Sequence, residues 1–190
     1  MQIGANKGND HVTEFVKKHK DEIEFCLIVE PIPTHIKDLE ECYKDISNVY
    51  IEASAITPIK EASGKYMTMF FVESDYPFYE IASLDPMHLI NHGYEPTQIM
   101  QIQVPCITLQ DLLLRFDLNR IDYLFIDAEA LDAAIVLSID LDILKIKSIE
   151  YEEKHILLYK DAVRRFLMGK NYVEVPDMAK ENESVRFEKN

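Results

Sequence analysis

The sequence predicts an α/β fold built on a mostly parallel sheet with helices over both faces. Three observations predict it. Short apolar runs at 25–29, 123–126 and 146–149 lack the polar alternation of half-exposed strands, and each runs out at a carboxylate, Glu30, Asp127 or Glu150. Segments with helical spacing stand between such runs. The chain closes on two strand-like pieces, 172–175 and 184–187, suited to an antiparallel hairpin.

Taken in order, Met1, Gln2 and Ile3 lead into a glycine-bearing turn, Gly4-Ala5-Asn6-Lys7-Gly8. Val12, Phe15, Val16 and His19 then share a helical face, with Asn9 or Asp10 placed to cap it. After the 25–29 strand, Ile36, Leu39 and Tyr43 lie on one face of a second helix, and 49–56 reads as the next strand. Residues 65–104 depart from the alternation. Both ends of this stretch are strand-like, and its middle is irregular and rich in Tyr, Pro and His. It reads as a β-rich insertion, and such loops commonly hold binding residues. A short apolar helix at 131–137 follows the 123–126 strand. A longer helix at 156–166 follows the 146–149 strand, with Gly169 as its stop.

The chain has 190 residues, enough for one domain that buries about 70% of its unfolded surface without a staple. Lysine plus arginine number 20 and aspartate plus glutamate 34, a net charge of −14. That field repels nucleic acid and anionic membrane. No apolar run is long enough to span a bilayer, and the opening residues do not form a signal peptide. Cys26, Cys42 and Cys106 are odd in number and scattered, as expected of reduced thiols in a cytoplasmic protein.

Three motifs carry chemistry. The glycine turn, before a helix N-terminus, lets backbone approach a ligand. Its G-x-x-x-G spacing is neither that of a dinucleotide fingerprint nor that of a P-loop. Glu30 stands at the carboxyl end of a buried strand, where an acid can accept hydrogen bonds from ribose hydroxyls. Asp127 and Glu129, joined by Glu150 from the next strand, overlook the crevice outside the strand ends. Such carboxylates can orient a hydroxyl or take its proton. His88 and His92 from the insertion are further candidate bases, and Tyr76, Phe78 and Tyr79 are candidate walls of an acceptor pocket. No His/Cys spacing supports zinc and no metal site is assigned, although Asp127 and Glu150 could together hold a metal.

In this order the motifs resemble those of the FkbM-type S-adenosylmethionine-dependent methyltransferases. Gln2-Ile3-Gly4-Ala5-Asn6-Lys7-Gly8 is similar to the family's D-[IV]-G-A-N-x-G opening, and Val29-Glu30-Pro31-Ile32-Pro33 to its E-P-x-P motif. Thr108-Leu109-Gln110-Asp111-Leu112, Ile121-Asp122 and Ile126-Asp127-Ala128-Glu129-Ala130 resemble T-L-D-x-L, I-D and K-I-D-V-E-G. Ser148-Ile149-Glu150 resembles the I-x-x-E strand that follows, and Ala82-Ser83-Leu84 falls where the family often carries a serine-leucine element.

The resemblance implies a Rossmann-like three-layer sandwich over 1–190. It has a mostly parallel seven-stranded sheet, a C-terminal antiparallel hairpin and the β-rich insertion at 65–104. The implied activity is methyl transfer from S-adenosylmethionine, usually to a hydroxyl oxygen of a small molecule or glycan, with no nucleic-acid or membrane partner. Self-association stays open. Gly4, Ala5, Asn6 and Gly8 would pass under the methionine moiety. Glu30 and Pro31 would flank the ribose, Ser54 and Ala55 would lie near the adenine, and Asp127 would line the junction of cofactor and acceptor. Asp127, Glu129 and Glu150 are the catalytic candidates. Four departures stand out. Gln2 replaces the opening acid, Phe125 the lysine and Ala130 the glycine, and Asp132 is one carbon shorter than the usual second acid. With only Met1 to Ile3 left for the first strand, the alternative is a catalytically impaired binding protein on the same fold. An adenine-dinucleotide oxidoreductase is disfavoured by the glycine spacing.

Overall fold

The computed structural model describes residues 1–72, 81–156, 158–176 and 184–190. Its first half comprises β1 (Gln2–Ile3), α1 (His11–Lys18), β2 (Cys26–Val29), α2 (Pro33–Tyr43), β3 (Val49–Glu52), β4 (Ala55–Ile56), β5 (Tyr66–Phe71), β6 (Ala82–Ser83) and α3 (Pro86–Asn91). The second half comprises β7 (Met100–Ile107), α4 (Leu109–Arg115), β8 (Arg120–Ile126), α5 (Asp132–Ser138), β9 (Lys145–Glu152), α6 (Lys160–Gly169), β10 (Tyr172–Val175) and β11 (Ser184–Lys189).

Seven strands form one sheet in the order β10-β11-β9-β8-β1-β2-β3. The sheet is mixed. β1 pairs parallel with both β2 and β8, as β2 does with β3 and β8 with β9. β11 runs antiparallel to both β9 and β10, and this is the closing hairpin. Two residues suffice for β1 because both its neighbours bond to it: Gln2 faces Ile28 and Phe125, and Ile3 faces Val29 and Ile126.

The run of four buried residues in β2 shows why the strands lack polar alternation. Leu27 and Val29 enter a core that also holds Leu112 of α4, Ile135 of α5 and Val163 of α6. Cys26 and Ile28 enter another, with Val12 and Val16 of α1 and Leu39 of α2. Helices therefore cover both faces. Asp10 caps α1, its Oδ1 accepting from the Thr13 amide at 2.8 Å, and Thr108 caps α4 through the Asp111 amide.

Several expected boundaries move. The 49–56 strand divides into β3 in the large sheet and β4 in a second sheet, β4-β7-β5-β6. Residues 53–54 make the break, because Ala55 and Ile56 leave β2 and pair with Cys106 and Ile107. The insertion supplies most of this second sheet, and a short core of Ile32, Ala55, Met69, Val104 and Cys106 binds it to the first. α3 was not foreseen; Pro86 opens it and Asp85 caps it through the Met87 amide. The helix expected from 156 begins at Lys160, since Ile156 is buried as a turn residue. β9 runs on to Glu152, three residues beyond the expected end at Ile149, because Tyr151 and Glu152 still pair with Val185 and Ser184. Tyr76, Phe78 and Tyr79 lie outside the described residues.

Candidate functional site

The order of the sheet reverses at β1: β2 and β3 lie to one side, β8 and β9 to the other. In open α/β sheets, ligands bind outside the carboxyl ends of the strands at such a reversal. A cleft that opens to solvent lies there. Gly4 and Asn6 from the glycine turn line it, as do Glu30 and Pro31 after β2 and Ser54 and Ala55 beyond β3. Asp127 and Glu129 after β8 line the other side, and Met69 and Leu84 reach in from the insertion.

The glycine turn is shaped by close approach. Gly4 has φ +76°, and a Cβ there would sit 1.7 Å from the Asp127 carbonyl oxygen. Only glycine lets the turn lie directly against the end of β8. Gly8 also has positive φ, and a Cβ there would press on Leu39 and Cys42. Gly8 therefore seats the turn on α2, and Ala5 is buried in the same core. Neither lines the cleft, so their part in any site is to shape the turn.

Glu30 is 4% exposed. Its Oε2 accepts from the Asn6 amide and its Oε1 from the Ile32 amide, both at 2.9 Å, and His35 Nδ1 stands 3.4 Å from Oε1. One carboxylate thus ties the glycine turn to the second strand end. A carboxylate has about four lone-pair positions, so two amides leave acceptor capacity toward the cleft. Ser54 Oγ donates to Glu52 Oε1, and Arg115 grips both oxygens of Glu52 at 2.9 Å.

Asp127 lines the cleft at the end of β8 and its side chain is open to it, although protein surrounds it closely on the other sides. Burial, then the neighbouring charges of Glu129, Glu152 and Asp10, push its pKa up to about 8. Asp132, fully buried in the first turn of α5, accepts from the Ala128 amide, and burial followed by Asp127 pushes it up to about 7. Glu129 and Ala130 both have positive φ, at +46° and +80°. The insertion clamps this bend. Ser83 Oγ donates to the Glu129 carbonyl at 2.8 Å, and His88 Nε2 stands 2.8 Å from Glu129 Oε2.

Glu150 is not a strand-end residue, contrary to expectation. It lies inside β9, opposite Phe125, and pairs with His11 Nε2 at 3.1 Å. That hydrogen bond raises the pKa of His11. The acid at the true end of β9 is Glu152. Gln2 Nε2 donates to Asp10 Oδ2 and so holds a carboxylate near the position where the motif usually has its own acid. Asp10, His11 and Glu152 were missed. Asp10 was read as a cap only, and a strand read three residues short hid Glu152.

A family-model scan matches residues 2–180 to the methyltransferase FkbM domain. The chain belongs to the FkbM methyltransferase family. Its methyltransferase domain implies a methyl donor and a methyl acceptor. Comparison with curated proteins gives no match. The family's motifs now have positions. The glycine turn, the Glu30 segment and the Asp127 segment meet at one cleft, although 24 and 97 residues separate Asn6 from Glu30 and Glu30 from Asp127 (30 − 6 and 127 − 30). Ala130 occupies the family's glycine position in a left-handed conformation that favours glycine. No helix among the described residues is long and apolar enough to cross a membrane.

Proposed function

We propose that 1–190 is one Rossmann-like methyltransferase domain that uses S-adenosylmethionine to methylate a hydroxyl of a small molecule or glycan. The observation that carries this reading is the convergence of the Gly4 turn, Glu30 and Asp127 on one cleft at the reversal of the sheet. The donor set fits the cofactor. Glu30 keeps acceptor capacity for vicinal ribose hydroxyls, and Pro31, Ile56 and Met69 offer apolar walls to a purine. Glu30 and Glu129 give the cleft a negative lining suited to a sulfonium and an ammonium. Asp10, held by Gln2, supplies a carboxylate beside the turn. The three free thiols accord with a reducing, cytoplasmic setting.

The bound cofactor supplies an activated methyl group. The chain's own residues do the rest. The cleft walls hold the acceptor oxygen in line and exclude water, and positioning of that kind is worth up to ~7–11 kcal/mol. Asp127 is the favoured base among the three candidates. A carboxylate raised toward neutrality is matched to taking a hydroxyl proton. Glu129 is engaged by His88 and Glu150 by His11.

Calorimetry with S-adenosylhomocysteine tests the reading. Binding is expected, with at least tenfold weakening in Glu30→Gln, which keeps the side chain's length. No heat and no thermal shift at millimolar ligand would sink it. Binding of the ligand without turnover on any hydroxyl acceptor would favour an impaired, binding-only descendant.

A further inference from the structure

The insertion meets the end of β9 through three histidines. His88 and His92 stand four residues apart on and just after α3, so they share one helical face. His155 comes from the turn after β9. The ring centroids are 4.4 Å apart for His88 and His92, 5.0 Å for His88 and His155, and 4.6 Å for His92 and His155. One ring nitrogen from each lies within 4.8 Å of the other two. Glu129 and Glu152 also bring oxygens within that distance of His155.

The surrounding hydrogen bonds fix the tautomers of two of the rings. The His88 carbonyl can only accept, so His92 Nδ1 donates its hydrogen to it at 2.8 Å and the lone pair sits on Nε2. The Glu129 carboxylate takes the hydrogen of His88 Nε2, which leaves the lone pair on Nδ1. A histidine whose other nitrogen donates to a carbonyl or carboxylate is the arrangement usual around bound metal.

We propose that His88, His92 and His155 form a binding site for a divalent transition metal of the zinc class, with the fourth position open to water or Glu152. Nitrogen ligands select such ions over magnesium and calcium, which prefer oxygen. Tetrahedral coordination at zinc–nitrogen distances of about 2.0–2.1 Å sets the nitrogens about 3.3 Å apart. Rotation of His92, which is exposed, and His155 closes the remaining gap. Two ligands belong to the insertion and one to the main sheet, so the ion pins the insertion onto the rim of the cleft next to Glu129. This inference does not depend on the cofactor or the reaction.

The test titrates chelator-stripped full-length protein with zinc chloride by calorimetry, with magnesium chloride in parallel. One zinc per chain is expected, together with a zinc-dependent rise in Tm and at least a tenfold loss of affinity in both His92→Ala and His155→Gln. His19→Ala, far from the cluster, should bind as the parent does. His92 is exposed, so its variant keeps the fold, which circular dichroism checks. Absence of zinc binding, or binding that survives both substitutions, overturns the proposal. Equal affinity for magnesium overturns it too, because the oxygens would then be the ligands.

Discussion

Glu30 serves the fold before it serves a ligand, and its two roles can be separated. Glu30→Ala removes the acceptor for two backbone amides, Asn6 and Ile32, at about 1–3 kcal/mol for each amide left unsatisfied. Glu30→Gln retains one acceptor oxygen, so it should lose ligand affinity with a smaller loss of stability. Urea unfolding beside calorimetry reads both. Asp127 has the opposite signature. Its folded pKa lies above its unfolded value, so the folded state holds the extra proton between about pH 4 and 8 and loses stability as pH rises through that window. Asp127→Asn should therefore raise Tm at pH 8 relative to the parent, with little change at pH 4. As the base, Asp127 must be ionised. The parent's kcat/KM should accordingly climb to a plateau above about pH 8. A cation bound beside Asp127 favours the carboxylate, so the limb in kcat falls at lower pH. A flat profile, or an Asp127→Asn variant of normal kcat, would remove Asp127 from the chemistry.

The turns are where elements are held to their neighbours, and substitutions there should show it. Gly4→Ala puts a methyl group into the Asp127 carbonyl, a clash of backbone with backbone that no rotamer relieves. A loss on the order of 4 kcal/mol or more, or failure to fold, is expected by urea unfolding. Ala130→Gly should do the reverse. It relieves a left-handed alanine at the bend between β8 and α5, for a net gain of up to about 1 kcal/mol after the entropy of glycine. Thr108→Ala removes the cap of α4 and should cost about 1 kcal/mol. These elements were legible to different degrees. β2 was read to within a residue because four consecutive buried residues leave no other reading. β9 was read short because Glu150 and Glu152 break the apolar run, although hydrogen bonds to β11 carry the strand past them. The 49–56 run was read as one strand because its composition does not change where its pairing partner does.

At the scale of the molecule, the charge of −14 gathers on no single feature, and only a few acids reach the cleft. The sequence by itself determined the alternation of strands and helices, the closing hairpin and the family, because apolar runs of strand length and ordered motifs are local properties of the chain. It also marked Gly4, Glu30 and Asp127 as residues to watch. Only the tertiary structure decided which of the marked residues meet. Gly8 and Ala5 turned to the core, Glu150 went to His11, and Asp10 and Glu152 came to the neighbourhood of Asp127. The three histidines are the clearest case. His88 and His92 show a helical spacing, but α3 itself was not foreseen, and His155 lies across the β9 end in a turn just before the expected helix. Side chains far apart in sequence are brought together by strand register and by the docking of the insertion. Neither leaves a periodic trace in the chain, since both depend on pairing between segments rather than on the composition of one.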